Sequence, residues 1–406
     1  MNKPLKILLG GVPFGRNNVG DEAILECVVK IVRTVCPDAQ ITVSTDDGPA
    51  TAEKLGVLTV ELFGFEPPFS QKRMKEELEL HDVFIWAGAT GLSDYPETTI
   101  KMLQIAKNAG RKTIVWGVGM NNELNPFFYT LMPGPRQTLL SMASCCLFGT
   151  VDLVRLAENR REHKTRKKIA QELRRADLVV LRDPESRDEI LRCGNVPEII
   201  VGADSALLLE PEKFENIALP ENVRATLSSP HKKIGFCISA QRQVSDSNHL
   251  IECFNDLVEK DKARIVFIPM NPITDAALMS DLRSRMKHPE RGVVVEGRYE
   301  PAEILAVASK LDVIIASRLH LLILASIVHV PIVGISRGSK VDNFLKPFGL
   351  TPVGDVDSCD FSRLKTEICR LLESRSLFEE QSRKIHTELL ERLDAATQNL
   401  RKILGA

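Results

Sequence analysis

Leu311-Asp312-Val313-Ile314-Ile315-Ala316-Ser317-Arg318-Leu319-His320 is the stretch on which the reading of this chain turns. An apolar run of strand length delivers a cation and an imidazole to the point where the strand should end, and residues 321–328 are apolar at helical length. Arg318 and His320 therefore fall on a strand-to-helix turn, where open α/β sheets bind their ligands. Such a turn also offers helix N-terminal amides to phosphate or carboxylate. An isolated Arg-x-His reads more simply as a buried arginine paired to a carboxylate and a satisfied core histidine. The rest of the chain decides between the two.

Outward from that turn, short apolar runs rich in β-branched residues alternate with amphipathic helical patterns, the signature of βαβ units and parallel sheets. The first half holds expected strands at 6–12, 40–45, 57–62, 82–86, 112–118, 178–181 and 198–201. The second series places strands at 233–239, 264–269, 292–296, 312–316 and 331–335, with helices near 248–260, 275–287, 302–310 and 321–328. The expected architecture is α/β, with two Rossmann-like doubly wound domains facing a cleft. Residues 1–207 form the first domain, 208–231 a linker, 232–360 the second domain, and 361–406 a charged helical tail that packs back on the first. At 406 residues, two domains are the default.

Lys plus Arg number 53 against 54 Asp plus Glu, which gives no electrostatic reason to expect nucleic acid. The nine cysteines are scattered without paired C-x-x-C spacing, so reduced thiols are expected rather than disulfides or a zinc site. Cys145-Cys146 reads as helix packing. The start runs into a strand without a cleavable leader pattern, and the uncharged run 137–151 is too short to span a bilayer, so a cytoplasmic chain is expected. One charge run, 160–168, opens a helix; it is either a solvated face or a peripheral contact with anionic lipid on the inner face of a membrane.

Chemistry-bearing residues recur at the other strand ends. Gly10-Gly11-Val12-Pro13-Phe14-Gly15-Arg16-Asn17-Asn18-Val19-Gly20-Asp21 precedes a helix expected near Ala23 and has neither G-x-G-x-x-G spacing nor a Walker lysine. Asp21 reads either as an N-cap or, with Asn18, as a holder of hydroxyls. Gly88 and Gly119 close two further strands and serve either a site floor or close helix–sheet packing. Arg182 ends the sixth strand, with Asp183-Pro184 opening a helix. Asp204 follows the seventh and could brace Arg182, bind a hydroxyl or cap a loop.

Taken in order, Asn18-Val19-Gly20-Asp21-Glu22-Ala23, Gly117-Val118-Gly119, Arg182-Asp183 with Glu185-Ser186, Asp204-Ser205-Ala206, and Ser317-Arg318-Leu319-His320 with Pro331-Ile332-Val333-Gly334-Ile335 resemble the polysaccharide pyruvyl transferase family. The resemblance implies a fold like that of GT-B glycosyltransferases. It also implies transfer of pyruvate from phosphoenolpyruvate onto two hydroxyls of a glycan sugar, forming a cyclic ketal in cell-surface polysaccharide biosynthesis. On that reading Arg182, Arg318, Leu319, Arg337 and Lys340 bind phosphoenolpyruvate, the guanidinium forks taking its anionic groups bidentately. Asn18, Gly20, Gly88, Gly119 and Asp204 face the acceptor, a glycan or lipid-linked oligosaccharide. His320 supplies the proton that ketal formation needs, and Asp21 accepts one from a hydroxyl. No metal and no cofactor beyond the co-substrate are expected. One departure stands out: where the family often reads Ser-Tyr-Asp-Pro-Lys-Val, this chain has Ser336-Arg337-Gly338-Ser339-Lys340-Val341. The competing expectations are a GT-B glycosyltransferase using a nucleotide sugar, and a non-catalytic glycan-binding protein of the same fold.

Overall fold

The computed structural model describes residues 3–65, 71–146 and 150–405. Positions 147–149 of the uncharged run, and the first two residues of the chain, lie outside the described residues. Twelve strands form among those described: β1 Lys6–Phe14, β2 Gln40–Thr45, β3 Leu58–Glu61, β4 Val83–Ala87, β5 Lys112–Val118, β6 Leu178–Leu181, β7 Ile199–Val201, β8 Lys233–Cys237, β9 Arg264–Phe267, β10 Gly292–Val294, β11 Val313–Ala316 and β12 Ile332–Gly334. Their interiors are continuous apolar runs such as Val83-Phe84-Ile85-Trp86-Ala87, buried along the whole strand. Strands covered by helices on both faces read this way, and every ladder here is parallel.

The strands make two sheets, ordered β3-β2-β1-β4-β5-β6-β7 and β10-β9-β8-β11-β12. In each, the chain builds outward from its first strand in one direction and then returns to build the other side. The reversals fall between β1 and β4 and between β8 and β11, and ligands bind beyond the strand ends at such switch points. These are the ends that carry the glycine-rich turn in the first domain and Arg318 with His320 in the second.

Several elements join the two halves. The Val19 amide, first in the helix Val19–Val35, donates to the Met270 carbonyl at 2.9 Å. Ion pairs link Lys54 to Glu300 and, at 3.1 Å, Lys346 to Glu185. The helix Leu319–Ile327 is apolar all round and almost wholly buried, as a central helix must be. The segment expected as a linker holds a short helix, Glu221–Leu227. The tail forms the helices Phe361–Glu373 and Arg375–Leu404; the second reaches the first sheet, where Lys112 Nζ donates to the Ile403 carbonyl at 2.8 Å. Cys145 and Cys146 are exposed at the end of the helix Pro135–Cys146, so the expectation that they pack a helix is wrong.

Candidate active site

A cavity of about 280 Å³ opens between the domains at both switch points. Asn18, Asp21, Thr90, Asp94, Tyr95 and Arg182 come from the first domain, and Gln241, Asn271, Arg318, Leu319, His320, Arg337 and Lys340 from the second. Counting Arg16, five basic side chains face it against two carboxylates, Asp21 and Asp94. The volume suits a small ligand, and the excess of positive charge selects for an anion.

The helix Val19–Val35 starts earlier than expected, because Asn18 rather than Asp21 is its N-cap: Asn18 Oδ1 accepts from the Gly20 amide at 3.2 Å. Asp21 thus sits in the first turn, where Asn18 Nδ2 donates to its Oδ2 at 2.7 Å. Burial raises the Asp21 pKa, against the opposing pull of His320 and Arg318. Gly20 is small for a steric reason: a Cβ there would lie 2.2 Å from His320 Nδ1, so the glycine seats the imidazole ring. On its other side, His320 Nε2 is 3.4 Å from Asp204 Oδ2, an ion-pair contact without hydrogen-bond geometry. Asp204 is held below the usual carboxylate range; burial opposes this, but His320, Arg182 and the Ala206 amide outweigh it. Asp204 therefore stands behind both His320 and Arg182, which lies 3.5 Å from it, rather than in the cavity wall.

Gly119 does for Arg182 what Gly20 does for His320: a Cβ would meet Arg182 Nη2 at 2.4 Å. Gly88 packs instead beneath the helix Val19–Val35, where a Cβ would meet Ile24 at 2.6 Å, and it does not line the cavity. The fork of Arg318 is already engaged, with Nε and Nη2 donating to the fully buried Asp275 at 3.1 and 2.7 Å. Asp275 also accepts from the Asn271 and Ala240 amides, both at 3.1 Å. The Nε–Nη2 edge of Arg318 is thus taken, and the donors left for a ligand are those of Nη1 and the second N–H of Nη2. Arg337 Nη1 is buried without a hydrogen-bond partner, and burial lowers the pKa of the group. Lys340 has no ion-pair partner among the described residues; burial pushes its pKa down to about 8, with Asp94 opposing and Arg337, Arg182 and Arg318 adding to the fall.

Sequence reasoning missed Asp94, Tyr95 and Asp275. Asp94 bonds Thr90 and, at 3.1 Å, Asn121 Nδ2, and faces Arg337 and Lys340 across the cavity. It sits in a one-turn helix, Gly91–Asp94, too short for a periodic pattern. Asp275 precedes a helix, and nothing in its local sequence separates it from an ordinary cap.

The family model of polysaccharide pyruvyl transferase matches residues 18–339. A search of curated protein sequences finds no match. Among solved structures, the chain is similar to Anabaena Alr3699/HepE in complex with UDP-glucose, with 10% identity and a TM-score of 0.61 over 98% of this chain and 100% of that one. It is also similar to the S. aureus MnaA-UDP complex, with 10% identity and a TM-score of 0.61 over 94% and 91% of the two chains. A glycosyltransferase from Rickettsia africae gives 12% identity and a TM-score of 0.58 over 99% of each chain. At these identities the likeness is one of fold: two Rossmann-like domains facing a cleft, in the GT-B arrangement.

Proposed function

The chain belongs to the polysaccharide pyruvyl transferase family, and from that premise we propose that it moves pyruvate from phosphoenolpyruvate onto two hydroxyls of a glycan sugar, forming a cyclic ketal in cell-surface polysaccharide biosynthesis. The observation that carries this reading is the ring of five basic side chains around a small cavity that also holds an imidazole and a buried carboxylate. Phosphoenolpyruvate brings a phosphate and a carboxylate within one small molecule. Arg182, Arg318 through its remaining N–H donors, Arg337 and Lys340 supply its counter-charges, with the Leu319 backbone beside them.

In the proposed reaction, His320 delivers a proton to the enol methylene carbon, which becomes a methyl group and leaves the adjacent carbon oxocarbenium-like. One sugar hydroxyl adds there, the carbon–oxygen bond to phosphate breaks with its electron pair going to phosphate, and the second hydroxyl closes the ring. Two hydroxyl protons are lost: one balances the proton placed on carbon and the other leaves with phosphate. Asp21, with a raised pKa and its geometry fixed by Asn18, takes the first hydroxyl proton. Asp204, 3.4 Å behind the ring, keeps the imidazole in place. Asn18, Asp94 and Tyr95 offer hydrogen bonds to the acceptor, a glycan or lipid-linked oligosaccharide. No redox group is needed.

Incubation with phosphoenolpyruvate and glycan acceptors tests this: the reading expects phosphate release in step with a new ketal methyl resonance. Phosphate release without ketal, or transfer only from nucleotide sugars, contradicts it.

A further inference from the structure

The helix Pro135–Cys146 contains no buried residue. Its half-buried side, Gln137, Leu140, Ala143 and Ser144, rests on the helix Leu153–Arg175, where the Leu153 amide donates to Ser144 Oγ at 2.9 Å. The opposite side, set by the 3.6-residue period, carries Leu139 and Met142, which are 68% and 63% exposed. In the preceding segment Phe127, at 70%, and Met132, at 67%, are exposed as well. That segment is fastened to the helix Leu153–Arg175, because the Leu131 amide donates to Glu158 at 2.9 Å and Arg161 donates to the Thr130 carbonyl.

The helix on which it rests carries exposed cations. Arg160, Lys164, Lys167 and Lys168 are exposed on one side of the helix Leu153–Arg175, within about 100° of one another by the 3.6-residue period, and have no carboxylate partner among the described residues. Arg166 is different: it turns inward to Glu162, Glu189 and the Asn122 carbonyl. The remaining cations are thus free to meet an external anionic surface.

We propose that these two helices form a docking face for an anionic lipid bilayer, with Leu139, Met142 and Phe127 entering the headgroup region and the four cations pairing with lipid phosphates. Exposed apolar side chains and unpaired cations together are the combination that holds a protein on a membrane without crossing it. No helix among the described residues is long and apolar enough to span one. The face adjoins the cleft. Asn125, next to the Pro126–Phe128 turn, bonds the Ser93 and Asp94 carbonyls at 2.9 and 3.1 Å, and Asp94 lines the cavity. Docking there brings the cavity near the bilayer, where a lipid-borne acceptor would be presented. This choice of acceptor rests on the pyruvyl-transfer reading; the docking does not. A second copy of this chain would cover the apolar part but gain nothing from the unpaired cations.

Flotation of the full chain with vesicles of equimolar phosphatidylcholine and phosphatidylglycerol, against pure phosphatidylcholine, tests the face. Binding is expected to the anionic vesicles and to weaken with salt. Replacing the four cations with Gln should lower that affinity by about 600-fold at low salt, since each basic residue near such a surface contributes roughly fivefold. Leu139→Ser with Met142→Ser should weaken whatever binding survives high salt. Both variants should bind phosphoenolpyruvate like the parent, which separates failure of the face from failure of the cleft. Absence of vesicle binding, or binding indifferent to both variants, overturns the proposal. Self-association lost in the Leu139/Met142 variant, without vesicle binding, assigns the face to a second copy and overturns it too.

Discussion

His320 is placed by its neighbours, Gly20 on one side and Asp204 on the other. His320→Ala should leave phosphoenolpyruvate binding largely intact while abolishing turnover, and full activity in that variant would remove the imidazole from the mechanism. Gly20→Ala should displace the ring, reducing kcat by about a hundredfold with much less effect on KM for phosphoenolpyruvate, as expected when a reacting group moves by an ångström. Lys340 gives a different signal. In the free protein burial holds its pKa near about 8, and a bound trianion would raise it, so binding near that pH should take up a proton. Affinity should fall as pH rises above about 8, by at most tenfold per unit, because only the charged amine attracts the ligand. Calorimetry in buffers of differing ionisation enthalpy reads the proton directly. At this scale the sequence was informative where a residue type announces its chemistry, as Arg182, Arg318, His320 and Lys340 do. It was silent where the role depends on a partner distant in the chain, as with Asp275 on Arg318 or Gly119 beneath Arg182.

The elements were more legible than the contacts between them. Buried parallel strands are apolar throughout and bounded by polar turns, so β2, β5 and β6 were expected at the bounds they have, and most others within two residues. Helix starts were less legible because capping depends on which side chain reaches which amide. Asn18 and Asp21 are both good caps by type, and only the Asn18 bond to the Gly20 amide distinguishes them. The same helix carries Glu22, whose carboxylate accepts from the Gly15 amide at 2.8 Å, yet burial pushes its pKa from 4.5 up to about 7. The folded state therefore prefers the protonated form. The stability this contributes is complete below about pH 4.5 and is lost as pH rises through about 7. Glu22→Gln keeps an acceptor for Gly15 and should stabilise the protein by about 1–3 kcal/mol above pH 7 but little below pH 5. Thermal melts at the two pH values check this, and an equal effect at both would contradict it.

For the whole molecule, the cleft exists because two sheets present their switch points to each other, held by the Val19–Met270 bond, the Lys54–Glu300 and Lys346–Glu185 pairs and the buried helix Leu319–Ile327. Alternation of strands and helices made the two-sheet architecture readable, whereas the convergence of Asp94, Arg337 and Lys340 appears only when the domains face each other. Chains of this fold include one solved with UDP-glucose, so the fold alone leaves the donor open, and the charge around the cavity is what argues for a small anion. The most direct test is calorimetric titration of the full chain with phosphoenolpyruvate, with UDP-glucose in parallel and Arg318→Ala as control. Saturable binding of phosphoenolpyruvate that is lost in the Arg318 variant is the predicted result. Binding of UDP-glucose without phosphoenolpyruvate would contradict the account.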